Sequence, residues 1–115
     1  MFAPAHGLRI FLRREATDMR IGIDGLANLT RNILLQDPLS GHLFVFINRR
    51  ADLLKALFFE SGGYCMLVKR LEIGKFHLPS GDGSEIDRSH LLMIIDGIKL
   101  EKETKSLRWN PLRIN

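Results

Sequence analysis

Between residues 42 and 71, three runs of strand-forming residues, HLFVFI (42–47), LLKALFF (53–59) and YCMLVKRL (64–71), are joined by stretches of only four or five residues. Gaps this short cannot carry a crossover, so consecutive strands must run antiparallel and the three make a meander. The first run is almost wholly aromatic and aliphatic, which suits a buried strand. The turn stretches NRRAD and ESGG set the registers. With Asn48 opposite Leu53 and Glu60 opposite Gly63, the side chains sort onto two faces. One face collects Leu43, Val45, Ile47, Leu54, Ala56, Phe58, Cys65 and Leu67, an aliphatic set fit for helix packing. The other collects Phe44, Phe46, Asn48, Lys55, Leu57, Phe59, Tyr64, Met66, Val68 and Arg70, and mixes rings with cations.

Upstream, LRIFLRR (8–14) alternates Leu8, Ile10 and Leu12 with Arg9, Phe11 and Arg13, the pattern of a half-buried strand. Thr17 offers an N-cap hydroxyl and Asp18 an early-turn negative charge. Met19, Ile23, Leu26, Ala27, Thr30, Ile33 and Leu34 then recur at helical spacing, which predicts a helix over about 18–35, ended by Asp37-Pro38. Gly22 and Gly25 lower its propensity and point to close packing against another element. KFHLP (75–79) reads as a short strand stopped by Pro79. Asp87 reads as the cap of a second helix, with Leu91, Leu92, Ile95 and Ile98 along one side. The expected fold is α+β: a mostly antiparallel sheet made of the meander plus the N-terminal strand, one helix packed on a face, and a second, C-terminal helix. Residues 1–100 are expected to form one domain and 101–115 a basic tail.

At 115 residues and 45% hydrophobic composition the chain can bury a single core. No apolar run is long enough to span a bilayer, and no basic segment precedes an apolar one at the N-terminus, so the expected location is the cytoplasm, with no membrane partner. The sequon Asn28-Leu29-Thr30 falls inside the predicted helix and is expected to be silent. One cysteine, Cys65, excludes an internal disulfide and a multi-cysteine zinc site, and the four histidines lack metal-ligand spacing. SGDGS lacks the Gly-Lys-Ser/Thr ending of a phosphate-binding loop. Asp18, Asp24, Asp52 and Asp96 are accounted for by helix ends, a turn and solubility. No catalytic residue, metal or cofactor is expected, and the chain does not read as an enzyme.

Seventeen Lys and Arg against thirteen acids give a net charge of +4, and residues 49–75 hold six bases against three acids. Such a bias suits a polyanionic partner. Arg49 and Arg50 sit where two guanidinium groups can reach phosphates, with Lys55, Lys69 and Arg70 nearby, and these five are the candidate nucleic-acid contacts. Rings on the mixed face, Phe44 and Tyr64 among them, can stack on bases, hold a protein partner, or pack beneath another element of the fold.

Read together, TDMRIGIDGL (17–26), DPLSGHLFVFINRRADLLKALFF (37–59), GYCMLVKRLEIGKFHLP (63–79) and LLMIIDGI (91–98) resemble one family closely. It is the TnpB-type accessory proteins encoded by the second reading frame of insertion-sequence-66 bacterial transposons, distinct from the RNA-guided nuclease that shares the label. The resemblance covers residues 8–98. Its recurrent positions fall on Asp18, Arg20, Gly22 and Gly25, on Ser40-Gly41-His42, on Arg49, Arg50, Asp52 and Lys55, and on Lys69 to Glu72, Phe76 and Pro79. The chain departs from the pattern at Phe58 to Gly63, where the family has a tryptophan-rich strand end and an Asp-Gly turn. The resemblance implies a non-catalytic protein of transposition, working beside a separately encoded transposase and a sister accessory protein. Contact with DNA at the element ends and self-association are the further expectations; the alternative is an adaptor that touches only protein.

Overall fold

The computed structural model describes residues 7–97. The meander forms as expected from β2 (Leu43–Ile47), β3 (Leu53–Glu60) and β4 (Gly63–Arg70). Its registers are those set by the turns, with Ile47 opposite Leu54 and Glu60 opposite Gly63. Ser61 (φ 52) and Gly62 (φ 83) are both left-handed, the two-residue turn whose twist matches that of the flanking strands. The N-terminal strand, β1 (Ile10–Leu12), lies parallel to β2, and the chain between them supplies the crossover such a pair needs. A two-residue strand, β5 (Glu85–Ile86), pairs antiparallel with β1 and completes a five-stranded sheet in the order β4-β3-β2-β1-β5. The α+β expectation holds, with one parallel pair in an otherwise antiparallel sheet.

Residues 75–79 do not form the expected strand. Phe76 buries its ring in the core while its N–H donates to the Ala51 carbonyl at 2.7 Å, which holds this loop against a turn rather than a strand edge. Helix α1 (Ile23–Asn32) is shorter than expected at both ends. Thr17 continues the β1 chain, its N–H donating to the Ile47 carbonyl, and Asp18 accepts the N–H of Arg20. The Lys55 ammonium then takes the carbonyls of Met19 and Ile21 at 2.9 and 3.2 Å. Those groups are spoken for, so residues 18–21 make a separate turn, the Ile21 N–H donating to the Asp18 carbonyl at 3.4 Å, and the helix begins after the extended Gly22. Gly25 is required by this entry, because a Cβ there would stand 2.8 Å from Cβ of Ile21. At the other end Leu35 takes a left-handed φ of 57°, and the Gln36 N–H bonds back to the Thr30 carbonyl, closing the helix before Asp37-Pro38 is reached. Helix α2 (Arg88–Asp96) begins where expected: the Asp87 carboxylate accepts the His90 N–H at 2.8 Å, and Gly97 ends the helix left-handed. Ile98 and the basic tail lie outside the described residues.

Both faces of the sheet are covered. Ile10, Leu12, Val45, Leu54, Ala56 and Phe58 pack with Phe76 and with Ile94 of α2. Phe11, Phe44, Phe46 and Leu57 pack against Leu26 and Ala27 of α1, with Met19, Ile21 and Met66 at the margin. The face that mixed rings with cations is therefore core at Phe44, Phe46 and Leu57, while Val68 and Arg70 at its β4 side stay exposed. The buried hydroxyl of Thr30, the last residue of the sequon, donates to the Leu26 carbonyl.

Candidate nucleic-acid interface at one end of the sheet

The connection from β2 to β3 is organised by Asn48. Its side-chain oxygen accepts the N–H groups of Asp52 and Leu53, both at 3.0 Å, and its amide nitrogen donates to the Asp52 carboxylate at 2.8 Å. The Ala51 N–H donates to the Asn48 carbonyl, and Ala51 is left-handed. A side chain that satisfies the turn's backbone from within leaves the next two residues to point outward. They are Arg49 and Arg50, and both are exposed.

The neighbours are cationic as well. Arg70 ends β4 in the row that contains Asn48 and Leu53, and the loop beyond it returns so that Lys75 donates to the Arg50 carbonyl at 2.8 Å. On the α1 side, the turn before the helix brings Arg20 alongside. Ala16 to Arg20, Asn48 to Arg50 and Leu53 line a cleft of about 680 Å³. Three carboxylates share this end of the sheet. Asp18 is bonded by the Arg20 guanidinium at 2.6 Å, which holds its pKa down at about 2. Asp52 is held below its usual value by the Asn48 amide first and by the Arg50 charge second. Glu72 pairs with Arg70 at 3.3 Å, and Arg50 stands 3.8 Å from Asp52. Arg49 has no hydrogen-bond or ion-pair partner among the described residues.

Of the five cations expected to contact nucleic acid, the fold gathers Arg49, Arg50 and Arg70 and commits the other two elsewhere. The Lys55 ammonium is part-buried under α1 on the Met19 and Ile21 carbonyls, and Lys69 donates to the Ile95 carbonyl at 2.6 Å, tying β4 to the end of α2. The expected protein contacts divide too. Phe44 is fully buried and stacked on Phe11 with centroids 5.6 Å apart, so in this fold it presents no surface to a partner; of the readings open for that face, packing beneath another element, here α1, is the one Phe44 follows. Tyr64 stays half-buried, edge-on to Phe59 at 5.4 Å, beside the β3–β4 turn. Arg20 is the residue that sequence reasoning missed. A helix from residue 18 would have turned it away from the β2–β3 turn, and the signal that prevents this, a lysine 35 positions later reading two carbonyls, has no local signature. Among the described residues no cluster of His, Cys, Asp and Glu side chains is placed to hold a metal ion, and no helix is long and apolar enough to cross a membrane.

Residues 8–105 match the family described as IS66 Orf2-like protein. Two proteins of Sinorhizobium fredii (strain NBRC 101917 / NGR234) are similar to this chain. The uncharacterized protein y4hO is 33% identical over 116 residues, covering 99% of each chain. The uncharacterized protein y4jC is 39% identical over 79 residues, covering 69% of this chain and 68% of its own length. No solved structure matches the chain.

Proposed function

The chain belongs to the IS66 Orf2-like family, and we propose that it serves transposition as a non-catalytic accessory protein that contacts DNA at the element ends through the cationic end of its sheet, beside the transposase. The observation that carries this reading is the β2–β3 turn. Arg49 stands exposed and without a partner among the described residues, on a turn whose own polar groups are satisfied by Asn48. Arg50, Arg20 and Arg70 lie at the same end of the sheet, each with an exposed ionic partner that a phosphate can displace, and Lys75 is held there by the Arg50 carbonyl. Exposed pairs of this kind cost little to break, whereas guanidinium–phosphate contacts release counterions and gain affinity at low salt. Arg20 and Arg49 flank the cleft, an arrangement suited to phosphates on one strand rather than to base edges. Lys55, part-buried, positions the Arg20 segment, and Lys69, on the exposed side of β4, is engaged by the end of α2.

The test is fluorescence anisotropy of the purified protein on labelled element-end DNA and on scrambled duplex across a salt series. Replacing Arg49 and Arg50 together with Ala is expected to weaken binding and to lower the slope of log K against log salt by about 2, close to one unit per lost phosphate contact. Unchanged affinity and slope in that variant would move the role to protein contact alone, with the transposase or a sister accessory protein as partner.

A further inference from the structure

The two edges of the sheet are unlike. β5 is two residues long and runs straight into the cap of α2, so it offers little backbone to a newcomer. β4 is eight residues long and pairs with β3 at every position from Gly63 to Arg70, without a bulge or a proline. Its outer side carries no strand among the described residues. In an antiparallel hairpin closed by a two-residue turn the closing pair exchanges both hydrogen bonds, and residues then alternate. Gly63, Cys65, Leu67 and Lys69 therefore bond to β3, and the Leu71 N–H continues the series by donating to the Asp52 carbonyl. Tyr64, Met66, Val68 and Arg70 direct their N–H and C=O groups outward.

We propose that two copies of this chain pair through β4, antiparallel about a two-fold axis at Leu67, to give one continuous ten-stranded sheet. A two-fold axis perpendicular to a sheet keeps each face on its own side, so paired residues must share a face. Any register centred on a residue of β4 satisfies this and uses outward groups, so the choice among them rests on which groups each one pairs. Only the register centred on Leu67 places Tyr64 opposite Arg70 and Met66 opposite Val68, so that every outward N–H and C=O of the strand is bonded. It also covers Leu67 and Val68, each 55% exposed in a single copy, the first against its own counterpart and the second against Met66.

Sheet edges are commonly guarded by charged side chains. Here both charges on the strand are already drawn aside. The Lys69 ammonium is bonded to the Ile95 carbonyl and the Arg70 guanidinium to Glu72. In the Leu67 register Lys69 stands across from Cys65 and Arg70 across from the Tyr64 ring, so no two cations face each other, and Arg70 gains an aromatic partner. The pairing uses neither Arg49 nor Arg50 and does not rest on the DNA reading.

The full chain is expected to sediment as a dimer, and Leu67→Lys, which sets two like charges across the axis at a position already exposed, as a folded monomer with unchanged circular dichroism. A second measurement needs no loss of function. In a Cys65→Ser background, Leu67→Cys brings two thiols together at a non-hydrogen-bonded pair, where Cα atoms lie within disulfide reach, and mild oxidation is expected to yield a covalent dimer. Met66→Cys in the same background is expected not to cross-link. A monomeric wild-type chain would overturn the proposal. So would a dimer indifferent to Leu67→Lys, or cross-linking through position 66 in place of 67.

Discussion

On one face of the sheet α1 lays Leu26 and Ala27 against Phe11, Phe44, Phe46 and Leu57; on the other, α2 adds a single fully buried side chain, Ile94, and a loop residue, Phe76, completes the cover. The two helices differ in length by one residue, so length does not explain the contrast. The difference lies in what holds each helix down. α1 is the crossover between two parallel strands, and the segment leading into it is anchored by Lys55 from the middle of β3. α2 hangs from the short strand β5, with the Asp87 cap at one end and Lys69 at the other. A sheet with two buried faces can thus have one cover that belongs to the cooperative core and another that opens by itself.

Truncation in the two layers makes the contrast measurable. Phe46→Ala removes a fully buried ring from beneath α1 and is expected to cost about 3–5 kcal/mol of global stability, read as a lowered urea midpoint. Ile94→Ala is expected to cost about 2 kcal/mol, the lower end for such a truncation, because α2 can settle into the gap. Native-state hydrogen exchange is the sharper reading. Ile94→Ala should hasten exchange across residues 88–96 while β2 keeps its protection, whereas Phe46→Ala should lower protection in both. Equal loss in both layers from Ile94→Ala would break the comparison.

Lys55 separates the two covers in another way, and it shows where sequence reasoning stops. The meander, its registers and the sorting of side chains onto two faces were legible because they follow from period-two alternation and from turns of four or five residues, all local. The cap of α2 was legible for the same reason. The start of α1 was not. Met19 and Ile23 continue a helical spacing whose cap and first-turn charge read as Thr17 and Asp18, yet the carbonyls of Met19 and Ile21 belong to a lysine on a distant strand. The same long-range contact sets Arg20 beside the β2–β3 turn and engages the Lys55 ammonium with backbone carbonyls. The turn itself was legible as a basic one; the Asn48 network that leaves Arg49 without a partner among the described residues was not, because it needs the register and the rotamer together. Lys55→Met keeps the stem and removes the ammonium, leaving two part-buried carbonyls without a donor, and is expected to cost about 1–3 kcal/mol. In the DNA titration it should leave the salt slope unchanged. A slope lowered by about one unit would return Lys55 to the phosphate-contacting set.

The smallest effect belongs to the entrance of α1, where Asp18 both accepts the Arg20 N–H and pairs with its guanidinium. The pair is exposed, so its effect on stability is modest and fades with salt. Its pH dependence has a definite sign. The folded-state pKa, about 2, lies below the ordinary carboxylate value of 3.8, so the native chain holds its proton less readily than the unfolded one. The stabilisation is complete above pH 3.8 and disappears as pH falls through that value towards 2. Asp52 and Glu85 are shifted in the same direction, one by Asn48 and the other by Arg9, and will add to acid sensitivity in wild type and variant alike. Asp18→Asn keeps an oxygen for the Arg20 N–H and loses the charge. Its midpoint should therefore lie slightly below wild type at pH 6, and the two curves should converge by pH 2. Because Asp18 sits on the α1 side, that small difference should appear in the exchange of residues 19–26 and leave α2 untouched. A change confined to 88–96 would mean that the two covers are coupled through the sheet after all.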